Sequence, residues 1–267
     1  MFPELLKEVL SSPALLKEIY SDLAKPGVKE VGKAIEGVLG LGNTVLYPLH
    51  LINGCADSAL QKNLERFREK VTEIPSEYIV PVAPEIGVPI LERIAYVSDE
   101  KLSEMYLNLL TKASSKYTQD LAHPSFINKL NEMTPDEASF LKKFNLNKTF
   151  HGCNFLFRGD IPHKPWSDAE YLYSFSFDIM KGLVYPLKLK IYLNSLESLG
   201  IVKINSFPLA KESDIVNYGL EYEELKTYLN EILPDYGYIN GNLFKGEAFS
   251  VSITEIGKAF MEACIPK

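Results

Sequence analysis

The feature that most constrains this chain is residues 99–141, where two helix start signals and a dense apolar stripe follow one another. Ser98 is the predicted cap of the first helix, and the acids Asp99 and Glu100 suit the positive end of its dipole. The apolar side chains recur at three- and four-residue steps, at Leu102, Met105, Tyr106, Leu109, Leu110 and Ala113. A stripe this wide predicts a helix that is buried on two sides.

Two polar residues of this segment are candidate binding residues. Asn108 lies in the most apolar part of the stripe, and His123 precedes Pro124 at the start of the next helix. A buried amide without a partner costs about 1–3 kcal/mol, so we predict that Asn108 bonds to the turn at residues 122–126. For His123 a capping or packing role is the simplest interpretation. A ligand contact is the alternative for Asn108, and a catalytic or metal-binding role is the alternative for His123.

Helical patterns also fill the chain before this segment. Apolar residues recur at helical spacing through residues 15–71. The mixed charges of residues 62–70 indicate a solvated outer helix face. The prolines of residues 75–89 predict a linker or a short irregular crossing, and helix resumes through residues 86–94. The sequence therefore predicts a multi-helical N-terminal domain over residues 1–132.

The composition shifts at a second start signal, where Thr134 and Glu137 have the spacing of a capping box. The chain beyond is rich in short aromatic runs and ends in an order of elements typical of a winged helix. These elements are a helix from about Pro186 that stops at Gly200, a strand at 201–204, an acidic helical insert at 222–232, a strand at 249–253 and a last helix capped by Thr254. We predict a mainly α protein whose multi-helical region is followed by an α+β winged-helix-like domain with insertions, residues 133–267.

Net charge bears on the partners that this chain can bind. The net charge is −7 for the whole chain and −3 for residues 134–267. This charge disfavours the binding of nucleic acid, although it is compatible with a small local basic patch. The helix in the recognition position offers Lys188 and Lys190 against Glu197, and it has no arginine. A winged helix that docks on protein is therefore favoured over one that reads bases.

The sequence contains no pattern that predicts an enzyme. It lacks a glycine-rich phosphate loop and a nucleophile elbow, and His151, Cys153 and His163 match no zinc spacing. We therefore predict no catalytic residue, cofactor or metal. The three cysteines follow no disulfide pattern, which favours a reducing cytoplasm.

One apolar stretch raises the question of membrane contact. Residues 38–52 form a stretch of about 15 residues, whereas a helix that spans a membrane requires roughly 20 residues. A buried, kinked helix is the favoured interpretation. The glycines of residues 32–52 would permit close helix packing in lipid, so a membrane-perturbing segment stays as an alternative.

Nine short segments also carry a resemblance to a known family. They are residues 31–37, 63–70, 74–75, 99–102, 106–110, 123–127 and 134–137, followed by 199–200 and 254–260. In these segments the chain resembles the abortive-infection alpha (Abi-alpha) family of bacterial and prophage-borne proteins. The resemblance implies a role in defence against phage, through growth arrest or death of the infected cell. It supplies no catalytic residues.

The resemblance implies a phage-defence protein, and together with the patterns above it predicts one that acts without enzymatic chemistry, through protein interactions in the cytoplasm. Its partner would be a phage or host protein, and self-association and peripheral membrane contact stay open. The candidate binding residues are Asn108, His123, Lys188 and Lys190. The alternatives are a winged-helix DNA-binding regulator and a membrane-perturbing effector that uses residues 32–52.

Overall fold

The computed structural model describes residues 54–144, 149–158, 170–174, 182–207 and 242–265. The chain divides into two compact units, residues 1–128 and 129–267. The described residues form mainly helices together with an antiparallel sheet. The domain boundary at residue 132 stays a prediction. The helices predicted before residue 54, the candidate membrane segment and the acidic insert at 222–232 lie outside the described residues.

From residue 54 onward, the first unit consists of helices joined by short irregular segments. The helices described there are α1 (Gly54–Thr72), α2 (Pro84–Ile94), α3 (Glu100–Ala113) and the start of α4 (Ser125–Asn131). The predicted stripe of α3 is confirmed, since all six of its apolar residues are buried. Ser103 and Leu107 are buried as well, so α3 is enclosed over more than one face.

The cap of α3 differs from the prediction by one residue. Asp99, not Ser98, is the N-cap, and its carboxylate Oδ1 accepts hydrogen bonds from the backbone N–H groups of Lys101 and Leu102, both at 3.0 Å. Asp and Ser are about equally good caps, and the sequence places them side by side. Asp99 has the extended backbone that a cap requires.

The proline-rich crossing between α1 and α2 is held by the chain that follows α3. Val80 N–H donates to the Ser114 carbonyl at 2.9 Å, and Lys116 N–H donates to the Tyr78 carbonyl at 2.8 Å. Ile79 and Ser115 form an isolated antiparallel bridge between these bonds. The irregular crossing predicted from the prolines is therefore fixed by backbone pairing.

In the described residues, the second unit combines helices with an antiparallel sheet. Its further elements are α5 (Pro135–Lys142), β1 (Phe150–Arg158), β2 (Glu170–Ser174), α6 (Leu189–Ser198), β3 (Val202–Phe207), β4 (Asn242–Ile253) and α7 (Glu255–Cys264). A 3-10 turn, Pro186–Lys188, leads into α6. The end of α4 also belongs to this unit.

The sheet has the strand order β2-β1-β4-β3, and every neighbouring pair is antiparallel. The two strands predicted from sequence lie in β3 and β4, which pair directly, with Val202 opposite Ile253 and Ile204 opposite Val251. Strands β1 and β2 were not predicted. They contain the aromatic runs, and side chains of this type favour strands.

The signals at the other helix ends are confirmed. Glu137 N–H donates to Thr134 Oγ1 at 3.3 Å, and the Glu137 carboxylate accepts from Thr134 N–H at 2.6 Å, which completes the capping box. Thr254 Oγ1 accepts from Gly257 N–H at 2.9 Å at the start of α7. Gly200 has φ +70°, the left-handed conformation expected just past the end of α6.

Candidate binding surface around α6

A buried carboxylate fixes the chain just before α6. Asp136, in the first turn of α5, accepts hydrogen bonds from the backbone N–H groups of Val184 (to Oδ1) and Tyr185 (to Oδ2), both at 2.8 Å. The Tyr192 hydroxyl of α6 donates to Oδ2, also at 2.8 Å. Asp136 is almost fully buried, so these three donors replace the water that its charge has lost.

The Tyr192 hydroxyl stays protonated, as its role as a hydrogen-bond donor to this carboxylate requires. Burial, followed by the hydrogen bond and the negative charge of Asp136, raises the pKa of Tyr192 well above its ordinary value of 10.0. The hydroxyl therefore keeps its proton across the physiological range. Asp136 thereby links α5, the turn at Val184 and Tyr185, and α6.

The turn and helix that Asp136 holds present apolar side chains to solvent. Val184 is 66% exposed, Tyr185 59% and Ile191 62%. The helix packs its other side inward through Leu189, Tyr192, Leu193 and Leu196. We call the exposed side of this segment the α6 surface, which consists of Val184, Tyr185, Lys188, Lys190, Ile191 and Asn194.

Lys188 and Lys190, predicted as binding residues, both lie on the α6 surface and are exposed. The Lys188 Nζ lies 4.8 Å from the centre of the Tyr185 ring, so the cation is held at the edge of the apolar side chains. Glu197, weighed against these lysines from sequence, accepts a hydrogen bond from Ile204 N–H at 2.8 Å. Its carboxylate is therefore directed to the start of β3.

The far end of α6 is fixed by a second set of bonds. Gly200 N–H donates to the Glu197 carbonyl at 2.8 Å, and Ile201 N–H donates to the Leu196 carbonyl at 3.0 Å. Lys129 Nζ donates to the Leu199 carbonyl. Basic groups at a helix C-terminus also interact well with the helix dipole. Both ends of α6 are therefore held in place, which gives its exposed side a defined shape.

The other two residues that were predicted to bind a partner, Asn108 and His123, lie in the first unit. Asn108 is half-buried on α3, and its bond to the turn at 122–126 stays a prediction. His123 is exposed, and its Nδ1 accepts from Ser125 N–H at 3.1 Å and lies 2.8 Å from Ser125 Oγ. The His123 ring also packs against Phe126, with 5.7 Å between ring centres. These contacts place His123 at the start of α4, where its ring nitrogen serves as the capping acceptor.

The sequence patterns did not predict a polar network that connects α1 and α3. Asn63 Nδ2 donates to the Ile94 carbonyl at 2.8 Å, and Ser103 Oγ donates to Asn63 Oδ1 at 2.5 Å. Arg66 donates to Ser103 Oγ at 3.0 Å. Because these residues lie 31 to 40 positions apart, no local pattern reveals the network.

Glu104 completes this network by pairing with two cations of α1. It forms salt bridges with Arg66 and with Lys70, the latter at 2.5 Å. Burial acts to raise the pKa of Glu104, but Lys70 and Arg66 outweigh burial and hold it below its ordinary value. The prediction that residues 62–70 form a solvated face is wrong for Arg66 and Lys70, since both pack against α3 in ion pairs.

The described ranges offer neither a metal-binding cluster nor a membrane-spanning helix. In these ranges no cluster of three or more His, Cys, Asp or Glu side chains is placed to hold a metal ion. None of the helices there is both long enough and apolar enough to cross a bilayer. Within the same ranges, the α6 surface combines exposed apolar side chains with two exposed lysines.

The fold and this surface define a mainly helical protein with a small antiparallel sheet and an exposed helix. A family model described as abortive infection alpha matches residues 59–264, and the chain belongs to that family. Membership suggests a part in abortive infection, which is a defence against phage. Comparison with curated proteins and with solved structures gave no match.

Proposed function

We propose that this protein acts in phage defence without enzymatic chemistry, by binding a phage or host protein through the α6 surface. The observation that carries the proposal is the exposure of Ile191, at 62%, in the first turn of a helix whose two ends are fixed. Val184 and Tyr185, which lie shortly before α6 in the chain, are exposed as well. Exposed apolar side chains grouped on a rigid segment are typical of protein-binding sites.

The order of elements supports a winged-helix-like arrangement for the second unit. Helix α6 is followed by the antiparallel pair β3 and β4, and β4 also pairs with β1, which follows α5. In such an arrangement α6 takes the position of the recognition helix. The extra strand β2 lies at the outer edge beside β1.

A DNA-binding regulator is the second candidate, because the same arrangement places Lys188 and Lys190 on an exposed helix. Three features count against it. The α6 helix has no arginine, it exposes Ile191 in its first turn, and the whole chain is acidic. Proteins that recognise DNA sequence combine polar side chains that contact base edges with several phosphate contacts.

The test uses cells that express the full chain and are challenged with phage. We expect Ile191→Asp to lose protection against plaque formation, because a charge replaces the apolar centre of the α6 surface. The matched control is Ile256→Asp on α7, where the isoleucine is also exposed, at 55%, but lies outside this surface. We expect the control to keep full protection.

Both variants should retain the melting temperature and the cellular abundance of the wild type, since neither side chain is buried. Protection that survives Ile191→Asp would show that the α6 surface is not the binding site. Equal loss in both variants would have the same consequence.

We propose that the protein works in the cytoplasm, because its three cysteines follow no disulfide pattern in the sequence, as is usual in a reducing compartment. The membrane alternative depends on residues 32–52, which lie outside the described residues. Leakage of dye from liposomes, lost in Leu46→Asp, would favour that alternative over protein binding.

A further inference from the structure

We propose that the α6 surface binds an acidic amphipathic helix of the partner protein, and that Asp136 positions the surface for this contact. The inference rests on the proposed function and adds the chemistry of the partner. It draws on three properties of the surface, namely its apolar side chains, its charge and its fixed backbone.

The apolar side chains define one face of the partner. Val184, Tyr185 and Ile191 lie close along the chain, and each exposes more than half of its area. Removing these side chains from water requires a partner with an apolar stripe of its own. A phosphate backbone would contact the lysines and leave the three side chains in water.

The charge of the surface defines the flanks of the partner. Lys188 and Lys190 are exposed, and residues 182–196 contain no acidic side chain. The surface therefore presents two lysines on a chain of net charge −7, and the acid of α6, Glu197, is bonded to Ile204 N–H. The Lys188 cation beside Tyr185 places a positive charge at the edge of the apolar contact. Acidic residues beside the apolar stripe of the partner would complement it.

The backbone of the surface is fixed before any partner arrives. The two hydrogen bonds from Val184 and Tyr185 to Asp136 hold the turn, so less ordering is left for the moment of binding. Tyr192 bonds to the same carboxylate through its side chain and does not depend on the turn. Asp136 is therefore a positioning residue, and Tyr192 offers a matched control for it.

The experiment measures binding of labelled peptides to the full chain by fluorescence anisotropy. Two amphipathic peptides of about 16 residues share one leucine stripe at helical spacing and differ only in their flanks, which carry Glu in one and Lys in the other. We expect the acidic peptide to bind at least about tenfold more tightly than the basic one, with an affinity that falls as salt rises.

Charge reversal on the protein tests the same preference from the other side. Lys188→Glu combined with Lys190→Glu should bind the basic peptide instead, and Ile191→Asp should bind neither. The control reverses two exposed lysines elsewhere, Lys116 and Lys203, and should keep the preference of the wild type.

Asp136→Asn should weaken binding of the acidic peptide about tenfold or more at a temperature where the protein stays folded. Tyr192→Phe also removes a hydrogen bond of this carboxylate and should leave the affinity within about twofold of the wild type. A purely structural role for Asp136 would instead make the affinities of the two variants follow their stabilities.

Equal affinity for the two peptides would overturn the proposal. So would binding of a DNA duplex that exceeds peptide binding and is lost on lysine reversal, or a dimer in sedimentation that Ile191→Asp dissociates. If the peptides show no preference while Ile191→Asp still abolishes phage protection, the partner chemistry is wrong and the proposed function stands. If the preference holds while protection survives Ile191→Asp, the proposed function fails and the binding chemistry stands.

Discussion

Glu104 lies between Arg66 and Lys70 and makes the stability of the first unit depend on pH. Its pKa in the folded chain is lower than the ordinary value of 4.5. The ion pairs therefore stabilise the fold fully above the unfolded pKa, and this contribution is lost as pH falls from about 4.5 through the folded pKa. We expect Glu104→Gln to lower the melting temperature at neutral pH, and the difference from wild type to shrink below pH 4.5.

The comparison with wild type removes the effect of other carboxyl groups, since both chains share them. Glu100→Gln is a useful control, because Glu100 pairs with Lys62 where both side chains are mostly in solvent. A gap between wild type and Glu104→Gln that stays constant across this pH range would contradict the prediction.

Asn108 is the residue for which the sequence gives the most specific structural prediction. We propose that its amide bonds within the turn at 122–126, so Asn108→Leu should destabilise the chain by about 1–3 kcal/mol in urea denaturation. Thr111→Val gives a comparison from the same helix, since Thr111 Oγ1 donates only to the Leu107 carbonyl. A variant of Asn108 that keeps its stability but loses phage protection would assign the residue to a binding site instead.

Sequence predicted the residue-scale signals that are local. The capping box of Thr134 and Glu137 and the left-handed Gly200 depend on neighbours within a few positions. It missed Asp136 as an anchor, because the groups that Asp136 holds lie 48 to 56 positions away. Lys188 and Lys190 could be proposed as binding residues from sequence because they lie on a predicted helix, whereas Val184 and Tyr185 precede it.

At the scale of elements, helices were easier to predict than strands. The stripe of α3 repeats at the helical period over a long segment, so its burial followed directly from sequence. Strands β1 and β2 carry aromatic runs without a strict alternation, and their pairing partners lie far along the chain. The β1 strand also contains a shift of register between Cys153 and Phe155, which breaks any two-residue period.

The contact between α7 and the turn after α6 depends on a glycine. A Cβ at Gly257 would lie 2.0 Å from the Ile201 carbonyl oxygen, which belongs to the backbone and cannot rotate away. We expect Gly257→Ala to destabilise by about 3 kcal/mol or more, as overpacking does in tight sites. Chemical denaturation of the full chain would measure the loss.

Gly200→Ala is the matched variant for this prediction. Gly200 has φ +70°, but a Cβ there would meet nothing within 4 Å. The cost is therefore conformational alone, about 1–2 kcal/mol. If Gly257→Ala proves no more harmful than Gly200→Ala, then α7 moves away from the turn at little cost and the close approach is not a constraint.

At the scale of the whole molecule, the family assignment and the fold answer different questions. Family membership suggests a role in abortive infection, while the structure offers a surface whose chemistry limits the partner. A defence role cannot be derived from packing and capping signals, because those signals specify how a chain folds. The proposed boundary at residue 132 also rests on such signals, and it falls just after α4, which spans the two units.

The charge of the whole chain leads to a last prediction, about DNA. With a net charge of −7, and with Lys188 and Lys190 as the cations of the α6 surface, at most about two phosphates would be neutralised there. Any residual affinity for a short duplex should therefore fall with salt with a log–log slope no steeper than about −2. Anisotropy of a labelled duplex across a salt series measures this slope. A steeper slope that Lys188→Glu combined with Lys190→Glu reduces would show that more of the molecule contacts phosphate, and it would favour the DNA-binding regulator over protein docking.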